Sequence, residues 1–216
     1  MDVYNISTNN SILNNFIKEI RDVKIQKDAM RFRRNIERIG EILSYEMSKK
    51  LNYSTSETIT PLGKKRINIV NNKLVLCSVL RAGLPLHQGV LNYFDKIENA
   101  FISAYRHHVS EDEFEIKVEY LATPNLDNKI LILADPMLAT GNSLVAVYDI
   151  LKKYGNINQI HIISVIAAQE GIDFVSKYFP ENTNLWVATI DKELNSKGYI
   201  IPGLGDAGDL AFGPKL

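Results

Sequence analysis

Several features that commonly reveal a protein's class are scarce or missing from this sequence. Its 216 residues include one cysteine, Cys77, so no disulfide can form within the chain. Cys77 lies in an apolar stretch, where a buried small hydrophobic residue is expected and not a nucleophile. No apolar run reaches the length of a membrane-spanning helix. The first residues lack the basic start and apolar core of a secretion signal, so a cytoplasmic location is expected.

The sequence also lacks an excess of charge of either sign. Its 25 Lys and Arg residues balance 25 Asp and Glu residues, so the formal net charge is zero. The composition therefore gives no sign of a nucleic-acid or acidic-membrane partner. A hydrophobic content of 45% and a charged content of 23% are those of an ordinary globular protein. The length predicts a single domain over residues 1–216.

What the sequence does contain is an alternation of short apolar runs and amphipathic stretches. Continuous apolar runs, typical of strands buried on both faces, predict strands at 74–80, 100–105, 130–134, 160–167 and 185–190. Apolar residues three and four apart predict helices at 27–51, 83–93, 144–151 and 170–178. The alternation predicts the α/β class, with an open, mostly parallel twisted sheet flanked by helices.

Three further segments complete the predicted organisation. Residues 1–26 form an N-terminal extension with one apolar helical face. Residues 53–70, around Pro61-Leu62-Gly63, predict a small β arm that packs on another subunit or on the main sheet. Residues 111–120 alternate apolar and charged side chains, which predicts an edge strand that leaves a mobile segment over the site.

The most informative stretch runs from position 129 to position 151. A five-residue apolar strand is followed by Asp135, a loop of small and polar residues, and an amphipathic helix. An acid at the carboxyl end of a parallel strand faces the crevice in which open α/β sheets bind ligands. The turn Thr140-Gly141-Asn142-Ser143 offers backbone N–H groups, hydroxyls and a helix start, which suit a phosphate. A capped turn without a ligand is the alternative.

Two other stretches place polar chemistry at predicted turns. Arg81 follows the strand at 74–80, where a guanidinium can hold a diphosphate. Gly203, Gly205 and Gly208 form a literal G-x-G-x-x-G, but no crossover helix, second strand and ribose-binding acid can follow it, so NAD is rejected. These glycines instead surround Asp206 and leave backbone N–H and C=O groups accessible to a planar polar ligand.

Together these stretches resemble the uracil phosphoribosyltransferases, a family of type I phosphoribosyltransferases. Asp-Pro-Met-Leu-Ala-Thr-Gly at 135–141 is similar to the family's motif for phosphoribosyl diphosphate (PRPP), and Leu-Arg-Ala-Gly-Leu at 80–84 also matches. Gly-Tyr-Ile-Ile-Pro-Gly-Leu-Gly-Asp-Ala-Gly-Asp at 198–209 is similar to its uracil-binding segment. Asn142 and Pro85 depart from the pattern, which usually has glycine at both positions. The resemblance runs from about residue 27 to the end.

The resemblance implies a fold, a reaction and a set of partners. The fold would be that of the type I phosphoribosyltransferases, with a C-terminal base-binding hood at 191–216. The reaction would convert uracil and PRPP into UMP and diphosphate, a step of pyrimidine salvage, with Mg²⁺ bound through PRPP. No nucleic acid and no membrane is expected as a partner. A dimer or larger homo-oligomer is expected, and GTP is a candidate allosteric ligand, as in some relatives.

The resemblance also implies which residues form the site. The implied catalytic residues are Asp206, Arg81 and Arg106. The implied PRPP-binding residues are Arg81, Arg106, Asp135, Pro136, Met137, Leu138, Ala139, Thr140, Gly141, Asn142, Ser143 and Asp206. The implied uracil-binding residues are Ile200, Gly205, Asp206 and Ala207, which would read the base largely through backbone groups.

Two other functions stay open. An RNA-binding regulator would use Arg31, Arg33, Arg34 and Arg38 on the helix at 27–51, although the zero net charge argues against it. The same enzyme class could act on another base, since one wall of a pocket can decide a single exocyclic group. The pair His107-His108 suggests a metal, but adjacent side chains point apart on an extended chain. We therefore expect the pair in a flexible loop without a metal.

Overall fold

The computed structural model describes residues 1–108 and 114–214, leaving aside the side chains of positions 104–117. In chain order the elements are β1 (Asp2–Asn5), α1 (Leu13–Arg21), α2 (Ala29–Ser48), β2 (Tyr53–Thr60), β3 (Gly63–Val70), β4 (Leu74–Leu80), α3 (Gly83–Leu91), β5 (Glu98–His108), β6 (Phe114–Ala122), β7 (Ile130–Ala134), β8 (Met137–Leu138), α4 (Asn142–Leu151), β9 (Gln159–Ala168), α5 (Gln169–Tyr178), β10 (Asn184–Asp191), β11 (Glu193–Leu194), β12 (Ile200–Ile201) and α6 (Ala207–Phe212).

Within the described residues the main sheet has eight strands, in the order β1-β10-β9-β7-β4-β5-β6, with the short β8 beside β9. Neighbouring strands are parallel, apart from the antiparallel pair β5 and β6 at one edge. The chain runs outward from β4 to β5 and then returns to β7 on the other side of β4. The order therefore reverses between β4 and β7, and such a switch point opens a crevice at the carboxyl ends of the strands. The predicted α/β class is confirmed.

The sheet is buried because helices cover both of its faces. On one face α1, α2 and α3 pack in a core that includes Phe32, Ile36 and Trp186. On the other face α4 and α5 pack in a second core that includes Val147 and Val175. All five strand residues of β7 are buried, which explains why its sequence is continuously apolar and does not alternate.

The N-terminal extension packs into the core through α1, whereas the arm is almost entirely exposed. In α1 the side chains of Leu13 and Ile20 are fully buried, as the apolar face predicted. The sequence did not predict β1, which pairs in parallel with β10 at the edge of the sheet. The predicted arm is confirmed as an antiparallel hairpin of β2 and β3, whose residues are almost all exposed. The arm is thus an extended projection, whereas the extension belongs to the core.

One local prediction was wrong, and another falls partly outside the described part of the chain. His107 and His108 were expected in a loop, but their backbone continues β5 and pairs with Glu115 and Phe114 of β6. The hairpin with β6 lengthens the strand past its apolar run. The mobile segment expected near Glu111 lies outside the described residues. No helix in the part of the chain that the structure covers is both long and apolar enough to cross a membrane.

Candidate active site

The crevice at the switch point contains the two polar stretches that the sequence singled out. Arg81 follows β4 and Asp135 follows β7, so both lie at the carboxyl edge of neighbouring strands. The start of α3 packs tightly on this edge, because a Cβ on Gly83 would lie 3.1 Å from the carbonyl oxygen of Ala134. Pro85 is the third residue of α3, where its missing N–H removes no hydrogen bond. The departure at this position is therefore compatible with the fold.

Backbone hydrogen bonds from β9 fix the loop that carries Asp135. The Asp135 N–H donates to the carbonyl of Ile163 at 3.2 Å, and the carbonyl of Pro136 accepts from Val165 and Ile166 at 3.1 and 3.0 Å. The loop encloses a small pocket whose lining residues are Asp135, Met137, Leu138, Ala139, Thr140, Gly141, Ser143 and Leu144. Seven of these eight residues were among the predicted PRPP ligands, so the loop brings them together.

The helix that follows this loop starts with free backbone donors. Gly141 precedes α4 with φ +82° and, as a glycine, supplies no side-chain cap to the helix. The hydroxyl of Thr140 lies 3.5 Å from the Asn142 N–H, which is a long hydrogen bond. An uncapped helix start offers several N–H groups and a positive dipole end to an anion. Asn142 is already helical, so the left-handed conformation falls on Gly141 and a side chain at 142 is tolerated.

Helix α5 packs closely against the same loop, with a glycine on each side of the contact. A Cβ on Gly141 would lie 2.7 Å from Val175 Cγ1 and 3.0 Å from Phe174 Cδ1. A Cβ on Gly171 would lie 2.1 Å from the carbonyl oxygen of Ala139. Gly171 was missed by the sequence analysis, although a glycine in the first turn of a helix after a buried strand is a signal of close packing.

Burial changes the acid–base behaviour of Asp135. Removal of its carboxyl group from water raises its pKa to about 6, and the hydrogen bond from the Met137 N–H opposes this rise. That N–H donates to Asp135 Oδ1 at 3.2 Å. The carboxylate is thus held in a defined direction and is less well solvated than an ordinary aspartate, so it interacts strongly with a hydroxyl or a cation in the crevice.

The C-terminal segment closes the crevice on the side of Arg81. The Arg81 guanidinium donates to Asp209 Oδ1 at 3.1 Å and to the carbonyl of Gly213 at 3.2 Å. Asp206 caps α6 by accepting from the Asp209 N–H at 2.9 Å. A Cβ on Gly208 would lie 3.1 Å from Asp206 Oδ1 and 3.6 Å from Arg81 Nη2. The structure therefore brings Arg81 and Asp206 together, and it adds Asp209, which the sequence analysis did not assign to the site.

Backbone groups dominate the segment expected to bind the base. The side chains of Ile200 and Ala207 are 5% and 4% exposed and pack in the core, so only their main chain can face a ligand. Gly205 is exposed with φ +98°, and nothing lies within 4 Å of the position of a Cβ. This open main chain offers one donor and one acceptor per residue, which suits the edge of a planar base.

The remaining predicted arginines do not all reach the crevice. Arg106 lies in β5 opposite Ile116, and its side chain is outside the described part of the chain. Arg33 donates to the carbonyl of Ala211 at 2.7 Å and so holds the C-terminal helix. The other three arginines of α2 also have partners. Arg31 pairs with Glu19 and Arg34 pairs with Glu37. Arg38 donates to Asn35 and lies over the ring of Phe16. Each arginine on which an RNA-binding regulator would depend therefore has a partner within the chain.

Comparison with known proteins agrees with this geometry. A family model described as uracil phosphoribosyltransferase matches residues 7–214. A uracil phosphoribosyltransferase of Porphyromonas gingivalis is 50% identical over 216 residues, all of both chains. The solved protein AQ2163 of Aquifex aeolicus has a TM-score of 0.87 at 29% identity and covers 99% of each chain. A hypoxanthine phosphoribosyltransferase of Staphylococcus aureus shares the fold, with a TM-score of 0.53 at 15% identity over 86% of this chain and 83% of its own. The chain therefore belongs to the uracil phosphoribosyltransferase family.

Proposed function

We propose that this protein transfers the phosphoribosyl group of PRPP to uracil and releases diphosphate, giving UMP in pyrimidine salvage. The observation that carries the proposal is the loop at 135–143, where an acid and an uncapped helix start lie side by side at the switch point. A sugar phosphate needs both features, because its phosphate is an anion and its hydroxyls are hydrogen-bond donors. The membership of the family supports uracil as the acceptor.

The loop would hold the sugar phosphate before the reaction. Thr140, Gly141 and Ser143 line the pocket, and their N–H groups would bind the 5′-phosphate, while Asp135 would accept hydrogen bonds from the ribose hydroxyls. Loss of diphosphate leaves positive charge on the ribose, as in glycoside hydrolysis. The carboxylate of Asp135 would stabilise this charge, and its poor solvation strengthens the effect. The loop thus both positions PRPP and favours the transition state.

Cations would balance the leaving diphosphate. Arg81 is oriented by Asp209, and Arg106 would add a second guanidinium from β5. In the described part of the chain no three acidic, histidine or cysteine side chains form a cage for a metal. Asp206 and Asp209 nevertheless offer carboxylates beside Arg81, which fits a Mg²⁺ ion that arrives with PRPP and keeps most of its ligands from phosphate and water. When bound, Mg²⁺ would neutralise negative charge on the diphosphate.

The tail would present uracil to the ribose carbon. Gly205, Asp206 and Ala207, with Ile200 behind them, would hydrogen-bond the base through main-chain groups and fix the attacking nitrogen. No covalent nucleophile is needed, because the base itself attacks the sugar. The only cysteine, Cys77, is buried and its pKa is raised to about 12, which suits a structural role.

Two variants of Asp206 test the role of the tail. Asp206→Ala removes both the charge and the helix cap, and it should lower the rate of UMP formation about 100-fold and the stability by about 1 kcal/mol. Asp206→Asn keeps an oxygen for the Asp209 N–H, so it should fold with nearly wild-type stability and still lose most activity. Steady-state assays and thermal melts measure both quantities. Near-normal turnover by a correctly folded Asp206→Ala protein would contradict the assignment.

The arm supports the proposal that the protein forms a dimer or a larger homo-oligomer. Leu62 at its tip is 100% exposed and Ile59 is 81% exposed, with Ile67 and Ile69 on the opposite face of the hairpin at 45% and 50%. Apolar side chains on a projecting hairpin are typical of a surface that another copy covers.

Charge on the arm is expected to break this assembly. Ile59→Asp with Leu62→Asp should shift the protein toward the monomer in sedimentation velocity, since burying two carboxylates in an apolar contact is unfavourable. Ile12→Asp, at an exposed apolar residue beside α1, serves as the control and should leave the mass unchanged. A wild-type monomer at micromolar concentration would contradict the proposal.

Three expectations from the sequence stay predictions: activation by GTP, a cytoplasmic location, and one functional domain over residues 1–216 that includes the N-terminal extension at 1–26 and the tail at 191–216. The contacts of Arg21 and Arg33 with the tail favour the last of these, because they join the two ends of the chain.

A further inference from the structure

A buried ion pair joins the N-terminal extension to the end of the central sheet. Arg21 is the last residue of α1, and Asp191 is the last residue of β10. The two guanidinium nitrogens Nη1 and Nη2 donate to the two carboxylate oxygens of Asp191, each at 2.8 Å. The side chains are 21% and 8% exposed, so this bidentate pair is shielded from water and geometrically strict.

The same two groups also hold a single residue of the tail. Asp191 Oδ2 accepts from the Gly203 N–H at 2.9 Å, and Arg21 Nη1 donates to the Gly203 carbonyl at 3.0 Å. Gly203 has φ +53°, and a Cβ there would lie 2.1 Å from the carbonyl oxygen of Ile200. Both main-chain groups of Gly203 are therefore fixed at the point where the tail folds back over Ile200.

A neighbouring contact extends this attachment to Leu204, the residue before Gly205. The Gln26 amide Nε2 donates to the carbonyls of Ile20 and Leu204 at 2.8 and 3.1 Å, which ties the extension to the residue after Gly203. Gly205 follows, exposed and with nothing within 4 Å of the position of a Cβ. Gly205 thus lies between two fixed points, Leu204 on one side and the cap at Asp206 on the other.

We propose that Arg21 and Asp191 are positioning residues that fix the main chain of Gly205 for uracil. The inference rests on the proposed assignment of the tail to the base. It predicts a specific pattern, because the PRPP loop is held by β9 and α5 and not by this ion pair. Loss of the pair should weaken uracil binding and spare PRPP. A role in stability alone would affect both substrates or neither.

The test compares the two Michaelis constants in Arg21→Ala. The KM for uracil should rise about tenfold or more, while the KM for PRPP stays within about twofold, since charge-assisted hydrogen bonds to Gly203 are lost only on the base side. Millimolar guanidinium should restore uracil binding to Arg21→Ala by refilling the cavity beside Asp191. Arg21→Lys should give an intermediate uracil KM, because an ammonium cannot donate in the same planar geometry. If Arg21→Ala does not fold, Arg21→Lys provides the same comparison of the two constants.

Two matched variants separate the ways in which the inference could fail. Arg31→Ala removes a half-exposed arginine that pairs with Glu19, and both constants should stay unchanged. Gly205→Ala strains the base segment itself and should raise the uracil KM on its own. An unchanged uracil KM in Gly205→Ala would overturn the assignment of the tail, and the inference with it. Two outcomes would overturn the inference and leave the assignment of the tail intact. The first is a uracil KM that rises in Gly205→Ala but is unchanged in Arg21→Ala and Arg21→Lys. The second is an equal rise of both constants in Arg21→Ala.

Discussion

Replacing Gly141 with alanine is expected to reduce kcat/KM for PRPP about 100-fold, because displacement of a binding loop by about 1 Å can have an effect of this size. The new Cβ would lie 2.7 Å from Val175 and 3.0 Å from Phe174, so the loop must move away from α5. The left-handed φ of +82° adds a backbone strain of about 1 kcal/mol for any residue other than glycine. The N–H groups that begin α4 would then be displaced from the positions that we propose for binding the 5′-phosphate.

A second glycine provides a control at the other end of the sheet. Gly155 precedes β9 and has φ +149°, and a Cβ there would lie 2.4 Å from the Asp127 nitrogen. Gly155→Ala should therefore lose stability much as Gly141→Ala does, while its PRPP affinity stays normal. Isothermal titration with PRPP and thermal melts separate the two effects. Equal losses of PRPP affinity in both variants would show that the loop acts through stability and not through its geometry.

Replacing Asp135 with asparagine is expected to lower the rate of UMP formation roughly 100-fold and, at the same time, to stabilise the protein above pH 6. The activity falls because a neutral amide cannot offset positive charge on the ribose. The stability rises because the folded protein no longer contains a poorly solvated carboxylate. Asparagine Oδ1 can still accept the hydrogen bond from the Met137 N–H, so the loop should keep its shape.

The dependence on pH follows from the sign of the pKa shift. In the folded protein the pKa of Asp135 is about 6, above its ordinary value of 3.8. The folded state therefore binds the proton more tightly than the unfolded state, and ionisation of Asp135 destabilises the fold as the pH rises from about 4 to about 6. Asp135→Asn should be about 2 kcal/mol more stable than the wild type at pH 8, and the two proteins should be equally stable near pH 4. The difference at pH 8 is somewhat smaller than the full pKa shift implies, because the side chain is only half-buried.

Denaturant titrations at several pH values measure this difference. Asp173→Asn, which removes an exposed acid on α5 that accepts from Gln169, serves as the control for the loss of one negative charge. A stability of Asp135→Asn that falls below the wild type at pH 8 would contradict the origin assigned to the shift, which is burial without a compensating cation.

The sequence predicted the centre of the sheet well because its local pattern leaves little choice. The strands β4 and β7 were predicted with the observed boundaries, since continuous apolar runs ended by Arg81 and Asp135 can be buried only as central strands. The buried stripe of α2 and the hairpin of the arm were also evident, from helical spacing and from Pro61-Leu62-Gly63. These elements depend on neighbours in the chain, which sequence patterns record.

The contacts that complete the site were not evident because they join distant positions. Arg21 and Asp191 are 170 residues apart, and Arg81 and Asp209 are 128 apart. Polar residues of these types occur on any surface, and nothing in their local sequence marks a partner. The strand β1 was not predicted for a related reason, because its short polar sequence forms a strand only by pairing with β10. The resemblance predicted the residues that bind PRPP and uracil, whereas only the structure located the residues that hold those predicted site residues in place.

The most direct test of the account is diphosphate release with PRPP and Mg²⁺, measured separately with uracil, cytosine, adenine, guanine and hypoxanthine, with and without GTP. The account predicts release with uracil alone and its loss when EDTA removes Mg²⁺. Release with another base would contradict the role given to the tail, and release with none of them, by a protein that still binds PRPP, would contradict the proposed reaction.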